Sequence, residues 1–194
     1  IKPDAPILHD FIKFDGKPSN IAGTLEHKKG NIEEGFKDAD IIIEKEFETA
    51  AVHQGYLETH ACLVSVSPDD RTTIWSSSQG QFMVRAMTSF ITGIPQSSIR
   101  AIPAEIGGGF GGKTIVYLEP VATILSKKSG RPVKMVMTRE EVMRASGPTS
   151  GSKSKVKIGA KNDGKITAAQ GTFYLQAGAF PGAPIRGAAG CCLA

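Results

Sequence analysis

Cysteine is scarce in this chain: the 194 residues hold three, Cys62, Cys191 and Cys192. An odd count with a vicinal pair is a poor disulfide framework, so a reducing, cytoplasmic compartment is expected. Three thiols also fall short of the four cysteine ligands that an iron–sulfur cluster takes. Aromatic residues are few, 7% of the chain, and the net charge is only +4. The lysines are scattered apart from 27–30 and 150–157, and no aromatic residues interleave with them, so nucleic-acid binding is not expected. No apolar run approaches the roughly 18 residues of a membrane span, so no membrane partner is expected. What is present is ordinary globular material. Hydrophobic residues are 40% and charged residues 22%, enough for a real core and against disorder.

Pro3, Pro6, Gly16, Pro18 and Gly23 mark residues 1–24 as an extended linker. Asn31 is placed to cap a short helix in "IEEGFKDA". "IIIEKEFETA" and "HACLVSVS" read as strands, and "RTTIWSS" pairs with the latter across the turn at 68–70. Phe82, Met83, Ala86, Met87, Phe90 and Ile91 recur at helical spacing, giving a helix over 81–92 that ends at Gly93. "SIRAIPAEI" is a strand, with Pro103 favouring a sheet edge. A second apolar helix is expected over 114–128, stopped by Gly130. "PVKMVMT" is a strand, and Thr138 with Glu141 forms a capping box. Two long alternating strands then flank Asn162-Asp163-Gly164, a hairpin signal. The fold class is α+β, a mixed and largely antiparallel sheet packed with helices.

Between the strand at 98–106 and the helix expected from 114 lies "EIGGGFGGKT". Gly107, Gly112, Lys113 and Thr114 match the phosphate-loop pattern, and Gly107, Gly109 and Gly112 match the dinucleotide pattern. Both readings falter on context. The next strand ends in Thr138 where a metal-binding acid is wanted, and no acidic strand end follows some twenty residues on. A tight turn alone seldom needs five glycines in six residues. Bare backbone, followed by a helix starting near Thr114 with its N–H groups free, favours an oxo-rich ligand. Thr114 also suits a helix N-cap.

"GYLETHACLVSV", "SSSQGQF", "IGGGFGGK", "RPVKMVMTREEVM" and the final hairpin, in unbroken order over 25–194, resemble the molybdenum-cofactor subunit of the xanthine dehydrogenase and aldehyde oxidase family. The resemblance implies a molybdopterin-binding domain over 25–194, the first of two. It implies that Gly109, Phe110 and Gly111 form the molybdopterin loop, with the Phe110 and Gly111 N–H groups near an apical oxygen on the metal. Gln79 adds a side-chain amide there, and no residue of this chain ligates the metal. Thr114 stands where xanthine-specific members carry a purine-contacting Glu, which implies a different substrate. Lys113 reads as structural or solvated. The cofactor would be molybdopterin, simple or as the cytosine dinucleotide, with iron–sulfur and FAD groups on partner subunits or domains. The parent would hydroxylate an aldehyde or N-heterocycle with water as oxygen source.

The chain opens on Ile1 and stops at Ala194 without a natural boundary at either end, so it is expected to be a piece of a longer protein. The family's catalytic Glu and an Arg-bearing loop would lie outside it, leaving no catalytic residue here and no turnover by these residues alone. Two rivals stand beside this reading: a phosphate-loop nucleotide-binding protein, and a noncatalytic assembly domain of a multisubunit oxidoreductase. His53, Glu58, His60 and Cys62 match no zinc spacing, and packing is expected of them. Glu58 is free to form a salt bridge within the domain.

Overall fold

The structure, a computed structural model, describes residues 5–178. In chain order its elements are β1 (Lys13–Phe14), β2 (Lys17–Pro18), α1 (Ile32–Lys37), β3 (Ile41–Thr49), β4 (Ala61–Val66), β5 (Thr72–Ser76), α2 (Gln81–Thr92), β6 (Ile99–Pro103), α3 (Glu119–Ser129), β7 (Val133–Val136), α4 (Arg139–Ala145), β8 (Ser152–Ala160) and β9 (Ile166–Leu175). They divide into two compact units. One is Val52–Thr149; the other joins the residues before it to those after it.

The central unit carries the glycine loop. Its sheet has the order β6-β5-β4-β7, with β4 antiparallel to β5 and β7 and β5 parallel to β6. The parallel pair follows from α2, which carries the chain from the end of β5 to the start of β6. Alternation sets the core: Cys62, Val64 and Val66 of β4 and Ile74 of β5 point inward and meet Val84, Ile94, Ile99 and Ala122. α3 is tied to this sheet by polar contact as well, since Ser126 Oγ accepts the Val66 N–H at 3.0 Å. A second cluster holds Tyr56, Met137 and Val142. The α4 capping box forms as its sequence predicts, with Thr138 and Glu141 exchanging hydrogen bonds. β6, which ends in Pro103, is an edge strand.

The other unit is an antiparallel sheet in the order β3-β8-β9, with α1 beside it. Asn31 Oδ1 caps α1 as expected, accepting from the Glu33 and Glu34 N–H groups. Glu44, Glu46 and Glu48 face Lys157, Lys155 and Lys153 in register. Such exposed pairs fix register more than they stabilise.

Two expectations need correction. The helix predicted from residue 114 begins at Glu119. Pro120 fits only its first turn, and residues 114–118 are taken up in bends that extend the glycine loop. α2 has the predicted span, but its apolar stripe does not face the core. Val84 and Thr88 are its buried residues, whereas Phe82 and Phe90 are 86% and 84% exposed. Periodicity locates a stripe; it does not say what covers it.

Candidate functional site

After β6 the chain runs from residue 104 to 118 without helix or strand, and this stretch is the site. The Gly112 N–H donates to the Gly109 carbonyl at 2.7 Å. The two residues between them, Phe110 and Gly111, have φ of 50° and 88°. That is a tight turn with both central residues left-handed, a conformation in which glycine is at ease and phenylalanine is not. Phe110 is therefore held in a costly backbone state while the residue is 70% exposed. Strain of this kind persists where surrounding contacts over-determine it, and it concentrates at ligand clamps.

Those contacts come from Gln79, in the segment between β5 and α2. Its Oε1 accepts the Gly111 N–H at 2.9 Å and the Lys113 N–H at 3.2 Å, so the Gly111 N–H, expected to face an apical oxygen, is turned onto Gln79 instead. Its backbone N–H donates to the Lys113 carbonyl at 2.9 Å, and Ser78 Oγ donates to the same carbonyl at 3.1 Å. Gly109 makes room for this amide: a Cβ there would lie 2.5 Å from Gln79 Oε1. At Gly112 a Cβ would lie 2.8 Å from the Tyr56 ring and 3.1 Å from Gln54 Cδ. Gly111 needs its freedom for the turn alone, since nothing lies within 4 Å of a Cβ there. With Oε1 spent on two donors, Gln79 presents its Nε2. Among the described residues neither that NH2 nor the Phe110 N–H makes a hydrogen bond.

Lys113 goes the other way. Its side chain is wholly buried, and Nζ pairs with Glu58 Oε2 at 2.6 Å. It also sits 5.0 Å from the centre of the Tyr56 ring. Glu58 Oε2 takes the Gly107 N–H at 2.8 Å, and the Glu58 N–H donates to the Gly107 carbonyl at 3.1 Å. Partial burial by itself would raise the Glu58 carboxyl. The Lys113 hydrogen bond, the Gly107 N–H and the lysine's charge outweigh it and hold the carboxyl below its ordinary value. This arrangement removes the nucleotide reading. A phosphate-loop lysine must reach phosphates, and this one is turned inward onto a carboxylate. Thr114 does not cap a helix either, because α3 begins five residues on; its Oγ donates to the Gly111 carbonyl at 2.9 Å.

The remaining sequence candidates are structural. His60 Nε2 shares a 2.7 Å hydrogen bond with the Tyr56 hydroxyl, which also lies 3.2 Å from Ser146 Oγ. Burial first, and then the nearby Lys113 charge, push the His60 imidazole below its ordinary value. His53 bonds Ser146 Oγ at 2.9 Å. Cys62 is buried in the main core, where burial and the Glu119 carboxylate push its thiol up to about 12. Among the described residues no cluster of His, Cys, Asp and Glu could hold a metal ion. Cys191 and Cys192 lie outside the described residues. Tyr56 and Ser78, which support the loop, lie within two of the stretches that carry the resemblance, but only the packing shows what they do there.

The arrangement can do one kind of chemistry. It offers neutral amide donors and bare, strained backbone to an acceptor-rich group, with no charged side chain exposed on the turn itself. Residues 13–191 match the molybdopterin cofactor-binding domain. The chain is 35% identical over 161 residues to the probable hypoxanthine oxidase XdhD of Escherichia coli K12, covering 83% of this chain and 17% of that protein. It is 32% identical over 184 residues to aldehyde oxidase 3 of Mus musculus, covering 93% and 14%. Among solved structures, the reconstituted CO dehydrogenase from Oligotropha carboxidovorans superposes with a TM-score of 0.64 at 28% identity, covering 89% of this chain and 23% of that one. The chain thus spans between about a seventh and a quarter of the length of these relatives.

Proposed function

The chain belongs to the molybdopterin cofactor-binding domain family, as found in xanthine dehydrogenases and aldehyde oxidases, and from that premise we propose that it forms one wall of the cofactor site of a molybdenum hydroxylase. The observation that supports this most directly is that neither Gln79 Nε2 nor the Phe110 N–H makes a hydrogen bond among the described residues. Oxo ligands and pterin carbonyls are acceptors, so neutral N–H donors suit them without adding charge. Gly109 and Gly111 supply backbone that a ring system can approach closely, and the exposed Phe110 side chain borders the same space.

When bound, the molybdenum cofactor supplies oxygen-atom transfer and a two-electron redox couple. This chain's residues bind and orient. Gln79 and Phe110 donate to the cofactor, Gly109 lets the Gln79 amide close on the loop, and Gly111 permits the turn. Thr114, exposed beside Gly111, borders the substrate. A hydroxyl there offers no carboxylate to a purine, which supports an aldehyde or a non-xanthine heterocycle as substrate. The general base would come from residues outside these 194, so the chain alone would not turn over. Its partners would be the second molybdopterin-binding domain and iron–sulfur and FAD subunits or domains. Residues 25–194 would form the first molybdopterin-binding domain and 1–24 the approach to it. The sparse cysteines favour the cytoplasm, and among the described residues no helix is long and apolar enough to cross a membrane.

The test is to purify the complete natural polypeptide with its partners and measure molybdenum and released pterin per chain, then turnover of aldehydes and N-heterocycles with isotopically labelled water. Near-stoichiometric metal and pterin with label in the product is the expected result. Neither metal nor pterin would sink the proposal.

A further inference from the structure

The cofactor loop has a lock that none of its ligand-facing residues supplies. Lys113 is the post on which Gln79 is seated. The Lys113 N–H and the Gly111 N–H hold the Gln79 side-chain oxygen, and the Lys113 carbonyl holds the Gln79 backbone. The post itself is anchored by its side chain. Nζ runs inward to Glu58, and the same Glu58 oxygen takes the Gly107 N–H at the loop's far end. One carboxylate therefore joins the first residue of the glycine run to the residue just past its last.

A carboxamide has two nearly isosteric orientations, and only the hydrogen-bond field decides between them. Here two backbone donors converge on one position, so the oxygen is drawn inward and the NH2 is left facing out. If Lys113 shifts, both donors move and the preference is lost. Lys113 would shift if its ammonium lost its partner, because a buried unpaired charge must find water or another acceptor. We infer that Glu58 is a positioning residue for the cofactor site, acting through Lys113 to fix which end of the Gln79 amide faces the cofactor. Glu58 donates nothing to the cofactor itself. This inference rests on the cofactor reading above for its purpose, though the lock is a property of the loop.

The experiment uses the complete natural polypeptide with its partner subunits and compares wild type with Glu58→Ala, Glu58→Gln/Lys113→Met and Gln79→Ala. Two quantities are read: molybdenum and pterin per chain, and backbone hydrogen exchange in peptides covering 105–115. Glu58→Ala is expected to speed exchange in that segment at least about tenfold, the scale of a lost buried partner. It should also lower cofactor content to the level of Gln79→Ala, while α2 and α3 stay protected. Glu58→Gln/Lys113→Met keeps an acceptor for Gly107 and removes the buried charge, so it should recover both quantities. A merely packed carboxylate would not be rescued in this way. Wild-type exchange and content in Glu58→Ala would overturn the inference, and so would a folded double variant that fails to recover. Wild type lacking molybdenum and pterin would instead refute the cofactor reading, with the exchange contrast still deciding the lock.

Discussion

Gly109→Ala puts the site's geometry to a sharp test, because the new methyl group has one place to go. It would lie 2.5 Å from Gln79 Oε1 and 2.6 Å from Cδ, distances that real Cβ atoms do not tolerate. The obstacle is the end of a flexible side chain, so Gln79 yields rather than the backbone. Yielding breaks its bonds to the Gly111 and Lys113 N–H groups. Each is worth about 0.5–1.5 kcal/mol net, so the loop loses about 1–3 kcal/mol of local stability. The stiffer unfolded chain of alanine returns about 0.4–1 kcal/mol. A net loss of about 0.6–2 kcal/mol corresponds to roughly 3- to 30-fold faster local opening. Gly111→Ala is the control: its methyl meets nothing, but φ of +88° costs about 1–2 kcal/mol. The assay is hydrogen exchange by mass spectrometry on the complete polypeptide, with fragments resolving Gly111 and Lys113 from Gly107. Gly109→Ala should expose the 111 and 113 amides together and leave Gly107, which Glu58 holds, less affected. Wild-type exchange at 111 and 113 in Gly109→Ala would show that Gln79 is not seated as described.

Gln79→Glu keeps an acceptor for both backbone donors and removes the outward NH2, so cofactor content should fall while exchange in the loop changes little. Neither the wild type nor Lys113→Ala should bind magnesium-ATP by calorimetry, because the lysine is turned inward onto Glu58. Glu58 titrates below its ordinary value of 4.5 in the folded chain, so its contribution is complete above that value and is lost as pH falls through the lower folded value. Exchange at Gly107 should accelerate in that acid window, and Glu58→Gln should remove the dependence. His60 is likewise pushed below 6.5, but here the neutral ring is the folded form: stability should decline as pH falls from 6.5 toward the folded value, and His60→Gln should flatten that slope. Cys62 should resist alkylation until the chain unfolds, with mass spectrometry reading the modified fraction.

Much of this molecule can be read from local sequence. The Asn31 cap, the Thr138–Glu141 box and the 161–165 hairpin each depend on a few adjacent residues whose side chains satisfy nearby backbone. The α3 start was harder, because "TIVYLEP" is apolar enough to continue a helix and only Pro120 hints at its first turn. The direction of α2's apolar face was not legible at all, since it depends on which side meets α3 and β6. At the site, the glycine run and Gln79 are visible as letters. The Glu58–Lys113 pair spans 55 positions in sequence, and a pairing at that range leaves no periodic or local trace. For the same reason the phosphate-loop pattern matched a lysine whose side chain points away from any phosphate.

The outward stripe on α2 gives mutagenesis a useful asymmetry. Phe82 and Phe90 contribute almost no burial within these residues, so trimming either to alanine takes away little that holds this unit together. Any defect those two changes produce in a longer polypeptide would then diagnose failed assembly rather than failed folding, whereas the same truncation at the fully buried Val84 would confound the two.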